Sequence, residues 1–173
     1  MADPTISTAR EAQQAEHPLV ARLRGGVADA VLAAQAFRGD ATAIVPREKL
    51  LEVCRFLRDD GESRFDMLVD VTAVDYLGRR PRFEVVYHLY SVVLNHRIRI
   101  KVALEESDPS LPSLVPIWAG ANWLERETWD LYGIVFEGHP DLRRIYLYEE
   151  FQGHPLRKDY PIGGEPVRFS DED

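Results

Sequence analysis

The chain has 173 residues, 45% hydrophobic, 29% charged and 10% aromatic, with a formal net charge of −8. That length suits one domain, with or without tails, that buries roughly 70% of its unfolded surface, and the composition excludes a wholly disordered chain, a coiled coil and a collagen-like repeat. One cysteine, Cys54, excludes an internal disulfide framework and an iron–sulfur or Cys-type zinc site held by this chain alone, the acidity argues against coating nucleic acid, and no apolar run reaches the ~20 residues that span a bilayer.

Residues 1–16 are small and polar, lack the apolar block of a signal peptide and read as a flexible N-terminus. The expectation is therefore a soluble, cytosolic chain that meets a membrane only through a partner. His17 to Leu23 predicts a short helix, with Pro18 tolerated in its first turn and Gly25-Gly26 as its stop. Val27 to Phe37 predicts a strand, Gly39-Asp40 a turn and Ala41 to Val45 the returning strand. Pro46 opens a helix in which Leu50, Leu51, Val53, Cys54 and Leu57 recur at helical spacing, ended by Asp59-Asp60-Gly61. On that stripe Cys54 reads as a buried thiol; a nucleophile would need a basic, partly exposed setting.

Phe65 to Val74, Arg82 to Ser91 and Asn95 to Val102 predict an antiparallel meander of at least three strands, with a turn over Gly78 to Pro81. Arg79, Arg80, Arg82, Arg97, Arg99 and Lys101 make it the one strongly basic region. Two readings fit, a solvated outer sheet face or a docking face for an acidic partner; a third, RNA binding on the interleaved Phe83, Tyr87 and Tyr90, is opposed by the overall acidity. Glu105 to Pro116 is a proline-punctuated loop. Asn122 then predicts a helix cap, with Glu125 at capping-box spacing. Leu124, Thr128, Leu131 and Tyr132 form one face of that helix, and Gly133 stops it. Ile145 to Tyr148 predicts a short strand, and the chain from Glu149 onward reads as extended.

The densest chemistry lies in residues 124–161. Gly-His-Pro occurs at 138–140 and again at 153–155. Leu142-Arg143-Arg144 follows the first copy and Leu156-Arg157-Lys158 the second. Glycine permits a positive φ, and a residue before proline is pushed toward extended backbone, so each His-Pro is a stiff corner. Arginine adds a planar fork for carboxylates or carbonyls. Such a segment reads as a rigid arm that lies on another surface. His139, Asp141 and His154, with Glu127 and Asp130, are the candidate metal ligands, but no spacing sets two of them on one helix face as in HExxH. Hydrogen bonding within a fixed loop is the favoured role for both histidines. Glu127 and Asp130, three apart, read as carboxylates ion-paired to Arg143 or Arg144 rather than as a catalytic pair. No glycine-rich phosphate loop follows any strand.

The segments ERETWDLYGIVFEGHPDLRRI and GHPLRKDYP resemble the hallmark of the hydrophilic 30 kDa subunit of bacterial respiratory complex I (NADH:quinone oxidoreductase). The likeness extends upstream through RFDMLVDVTAVDYLGRRPRFEVVYHLYS and NHRIRIKV and covers roughly residues 30–162. The resemblance implies an α+β fold: two layers, with a mixed, largely antiparallel sheet packed by helices, then an extended C-terminal arm. With the element reading it divides the chain into residues 1–16, a domain over 17–148, and a partner-docking arm and polar tail over 149–173. By matching position the motif residues are Glu125, Arg126, Glu127, Asp130, Gly133, His139, Pro140, Leu142, Arg143 and Arg144, then Gly153, His154, Pro155, Leu156, Arg157, Lys158, Asp159, Tyr160 and Pro161. The first group is expected to form a folded buttress, with Glu127 and Asp130 paired to arginines of the returning loop. The second is expected to lie on the partner, with Arg157 and Lys158 meeting its carboxylates or carbonyls.

The resemblance further implies a structural, assembly role in the peripheral arm on the cytoplasmic side of the bacterial inner membrane. The chief partner is the large quinone-site subunit. No cofactor, catalytic residue or metal is expected in this chain; FMN, iron–sulfur clusters, NADH and quinone belong to the assembled complex. Two alternatives stand beside it: the equivalent subunit of a membrane-bound hydrogenase or other quinone-linked dehydrogenase, and a free-standing metal-dependent hydrolase built on His139, Asp141 and His154.

Overall fold

The computed structural model describes residues 16–161 and 163. The expectations for residues 1–15 and for the tail beyond Gly163 lie outside the described residues. Helix α1 (Pro18–Gly26) is followed by strands β1 (Ala33–Phe37) and β2 (Asp40–Ile44). A single 3-10 turn over Arg47–Lys49 then leads into α2 (Leu50–Asp59). Strands β3 (Met67–Asp75), β4 (Phe83–Ser91) and β5 (His96–Leu104) form the expected meander, and β6 (Ser110–Pro112), α3 (Ala121–Tyr132) and β7 (Val135–Glu137) complete the fold.

The main sheet has the order β1-β2-β5-β4-β3. Neighbours are antiparallel except β2 and β5, which run parallel, so the sheet is mixed. Period-two alternation turns Val71, Ala73, Val85, Tyr87, Leu89, Ile98, Ile100 and Val102 into one core with Leu50, Val53, Cys54 and Leu57 of α2. Ile134 and Phe136, just beyond α3, join the same core. Cys54 is fully buried there, and burial first, then the charge of Glu125, pushes its thiol well above the usual range.

Several boundaries differ from the sequence-based expectations. The first strand begins at Ala33 and not at Val27, because Val27 caps α1 by donating to the Leu23 carbonyl and Asp29 takes a positive φ. Residues 105–116 are not all loop: β6 pairs in parallel with β7 as a second, two-stranded sheet. Asn122 is not a cap. Gly120 holds that position without a side-chain bond, and Asn122 lies inside the first turn. Ile145 to Tyr148 is not a strand; the backbone amides of Ile145, Tyr146 and Leu147 are spent on a side chain of α3, as described next.

Candidate functional site

Helix α3 carries an unusual burden for its length, since Glu125, Arg126 and Asp130 are all buried. A buried charge is tolerated only where hydrogen bonds or a counter-charge satisfy it. Arg126 and Asp130, one turn apart, find those partners in the backbone of a single returning loop. Arg126 donates Nε to the Arg143 carbonyl (3.0 Å) and Nη2 to the Arg144 carbonyl (3.1 Å). Its guanidinium also lies over the Trp123 ring. The next three amides of the loop, from Ile145, Tyr146 and Leu147, all donate to Oδ2 of Asp130 at 2.9–3.1 Å. Arg144 pairs with Oδ1 of the same carboxylate. Consecutive amides around one anion form a backbone nest. Burial works to raise the Asp130 pKa, but the three amides and Arg144 outweigh it and hold the carboxyl below the usual range.

The C-terminus of α3 is satisfied from farther along the chain. The last carbonyls of a helix lack intrahelical partners. Here Gly133, at φ 72°, donates its amide to Trp129. His154 Nδ1 bonds the Asp130 carbonyl (2.9 Å), the Leu156 amide bonds the Leu131 carbonyl (3.0 Å), and Arg157 Nε bonds the Tyr132 carbonyl (2.6 Å). Residues 153–160 thus form a strap that caps α3, and Arg157 sets its charge at the helix's negative end. Gly133 is required at this contact: a Cβ there would stand 2.5 Å from the His154 ring. Beyond the cap, the Lys158 amide bonds Asp75 Oδ2 (2.8 Å), Asp159 pairs with Arg82 (2.8 Å), and Tyr160 stacks on Phe151.

The structure therefore brings most of the motif together, with two differences. Glu127 is half-buried on α3, while the loop arginines go elsewhere, Arg144 to Asp130 and Arg143 to Asp141. The 153–160 segment is ordered against its own domain: Arg157, expected to meet a partner's carboxylates or carbonyls, is committed to the Tyr132 carbonyl and to the face of Phe83. Polar bonds to the backbone carbonyls at the end of α3 and to Asp75 and Arg82, more than apolar burial, supply that order. Glu125 points inward, away from the capping role, and accepts from Ser113 Oγ and the Leu114 amide, both at 2.6 Å. Desolvation pushes its carboxyl up to about 7 against those two bonds.

His139 bonds the Asn122 carbonyl through Nε2 and receives the Asp141 amide at Nδ1. His154 is occupied at the end of α3 by the Asp130 carbonyl. Among the described residues no group of three or more His, Cys, Asp or Glu is placed to hold a metal ion. Leu142 packs on the core, whereas Pro140 and Leu156 are exposed.

The fold and this site define a mixed-sheet α+β domain whose last long helix is clamped and capped by the segment that follows it. The chain belongs to the family described as "Respiratory-chain NADH dehydrogenase, 30 Kd subunit", whose model matches residues 43–166. Membership makes it a peripheral-arm subunit of complex I. The corresponding NADH-quinone oxidoreductase subunit of Roseiflexus sp. (strain RS-1) is 54% identical over 149 residues, covering 86% of each chain. A solved structure titled "Nqo5 of the trypsin-resistant fragment (1-134)" superposes with a TM-score of 0.62 at 36% identity, covering 72% of this chain and 96% of that one. A chain of an archaeal membrane-bound sulfane sulfur reductase shares the fold, with a TM-score of 0.71 at 23% identity, over 83% of this chain and 84% of that one.

Three residues of the site escape a reading of the sequence: Asp75, Arg82 and Glu106. Arg82 groups by sequence with the basic sheet region, yet only 2% of it is exposed. A signal is present. Asp75 shares the parity of Val71 and Ala73 on β3, so an acid falls on the core face. An acid there calls for a buried cation nearby.

Proposed function

We propose that this chain is a structural subunit that presents a rigid docking surface to the large quinone-site subunit on the cytoplasmic side of the membrane. One observation carries this reading. The 143–147 loop and the 153–160 strap are tied down through their backbones, while Trp123, Tyr146 and Leu156 point apolar side chains outward, at 63%, 66% and 49% exposure. Pre-organised elements carrying exposed aromatic and aliphatic anchors are the usual makings of a binding surface. Redox chemistry then resides in partner subunits that hold FMN and iron–sulfur clusters and use NADH and quinone. Cys54, the one thiol, is buried and held protonated. The 54% identity to an NADH-quinone oxidoreductase subunit favours an NADH-linked parent complex. The likeness to the sulfane sulfur reductase chain, at 23%, extends to the fold alone.

The test is a tagged full-length chain carrying Tyr146→Glu and Leu156→Glu, purified from membranes and followed by mass spectrometry of its partners. Both positions are exposed, so the domain keeps its melting temperature. The large subunit should vanish from the purified material, and NADH-driven quinone reduction should fall with it. Normal assembly of the double variant would overturn the assignment of this surface. A wild-type purification that brings down hydrogenase-type subunits, with no NADH-oxidising flavin subunit, would overturn the parent complex.

A further inference from the structure

The far end of the strap meets a group outside the hallmark segment. Asp75, the last residue of β3, and Arg82, just before β4, flank the turn of the β3–β4 hairpin and make a two-pronged pair, Nε to Oδ1 at 2.9 Å and Nη2 to Oδ2 at 2.8 Å. Both side chains are essentially excluded from solvent, at 2% for Arg82 and 1% for Asp75. The strap adds a second fork to the same guanidinium. Asp159 Oδ1 lies 2.8 Å from Nη2, and Oδ2 lies 3.0 Å from Nη1. The Lys158 amide completes the contact on Asp75, and Glu106 also reaches Nη1.

We propose that the Asp75–Arg82 pair is the keeper of a releasable clasp, and that Asp159 is its catch. Three features argue for release rather than permanent integration. The keeper is neutral by itself, so lifting the strap leaves no uncompensated charge in the core. One guanidinium faces three carboxylates, and Glu106 already shares Nη1 with Asp159, so Glu106 remains at the keeper when Asp159 leaves. The strap is held chiefly by polar bonds, since Leu156 is half exposed and few apolar side chains of the segment are buried. Such segments open locally at a free energy below that of the whole domain. The side chains of Asp159 and Glu106 are 48% and 63% exposed, so salt weakens the catch. Release uncaps α3 and frees Arg157 from the Phe83 face, which makes the clasp a condition for presenting Leu156 in a fixed place. The proposal concerns the chain itself and holds whichever subunit docks there.

The full-length chain tests it without any partner. Trypsin cleavage after Arg157 is followed by mass spectrometry, with the domain's melting temperature measured in parallel. For Asp159→Asn the cleavage rate should rise about tenfold or more, as loss of a charge-assisted bond implies, with the melting temperature unchanged. Raised salt should speed cleavage of the wild type and leave Asp159→Asn nearly unaffected. An unchanged cleavage rate in Asp159→Asn would overturn the catch. A melting temperature that falls in step with cleavage would overturn release, because the strap would then be part of the core. Amide hydrogen exchange of the wild type supplies a check free of substitutions. The Leu156 and Lys158 amides should exchange faster than those of β4 across the Tyr87–Leu89 stretch, and equal rates would overturn the proposal.

Discussion

Arg126 and Asp130 hold one loop with opposite polarity: the guanidinium takes the carbonyls of Arg143 and Arg144, and the carboxylate takes the amides of Ile145, Tyr146 and Leu147. Both grips are made on the loop's backbone, and the Arg144 side chain adds an ion pair to the second. Asp130→Asn keeps the shape but removes the charge that answers Arg144 and leaves an NH2 facing amide donors. Breaking a buried pair of this kind costs about 3–5 kcal/mol. Chemical denaturation at neutral pH should show a loss of that order. The Asp130 carboxyl is held below the usual range, so its share of stability is present above the usual carboxylate pKa and is lost as pH falls through the depressed one. The difference between Asp130→Asn and the wild type should therefore shrink in strong acid.

Glu125 predicts the opposite dependence. Its carboxyl is raised from 4.5 to about 7, and no cation pairs with it among the described residues. The groups around it are the Cys54 thiol on α2, the Tyr87 hydroxyl on β4, and Ser113 and the Leu114 amide after β6. The folded state binds this proton more tightly than the unfolded state does. Its contribution is therefore fully present below pH 4.5 and is lost as pH rises through about 7. Glu125→Gln should leave stability nearly unchanged at pH 4.5 and raise it at pH 8, by about 3 kcal/mol at most. Equal effects of the substitution at both pH values would contradict this account.

Gly133→Ala tests the contact between the helix end and the strap. The position has φ 72°, and an added Cβ would meet the His154 ring at 2.5 Å and Arg157 at 2.8 Å. Strained backbone of this sort costs of order 1–3 kcal/mol, and the collision should also lift the strap. We expect a lower melting temperature together with faster exchange of the Leu156 amide. A change in melting temperature alone would mean that the strap yields without moving off.

The elements with internal periodicity are legible in the sequence: the stripe of α2, the alternation of β5 and the stop at Gly133. What is not legible depends on partners distant along the chain. The parallel pairing of β2 with β5 joins residues more than fifty positions apart, as in Ala41 with Ile98, and neither strand advertises its neighbour. Strands β6 and β7 are three residues each, too short to show a period. The strap reads as stiff and committed to some surface, but the surface is a set of backbone carbonyls at residues 130–132. Carbonyls carry no side-chain code, so a strap on its own domain and an arm on a partner read alike. Asp75 is the exception, an acid on a core-facing position that points to Arg82.

Arg157 and Lys158 are adjacent cations with different duties, and separating them gives the sharpest test of the strap. Arg157 donates to Tyr132 at 2.6 Å and covers the Phe83 ring at 5.1 Å. Lys158 uses its backbone amide on Asp75, while the residue as a whole is exposed. Arg157→Glu replaces a cation with an anion at the negative end of α3, leaves the Tyr132 carbonyl without its donor and abolishes the cation–π contact. Lys158→Glu keeps the amide and alters only an exposed charge, a change that falls within about 0.5 kcal/mol in most proteins. Arg157→Lys restores the charge but not the planar fork, so it should fall between the two. Tryptic cleavage at an arginine or lysine is lost in some of these variants, so the strap is better read by exchange of the Leu156 amide. We expect strong deprotection for Arg157→Glu, partial deprotection for Arg157→Lys and none for Lys158→Glu. If Lys158→Glu assembles poorly while its Leu156 amide stays protected, the Lys158 ammonium faces the partner directly, and the two cations divide the work between holding the strap and reading its surface. If Arg157→Glu leaves the amide protected, the Arg157 side chain is not what holds the strap, and the order of this segment rests on the remaining bonds from His154, Leu156, Lys158 and Asp159.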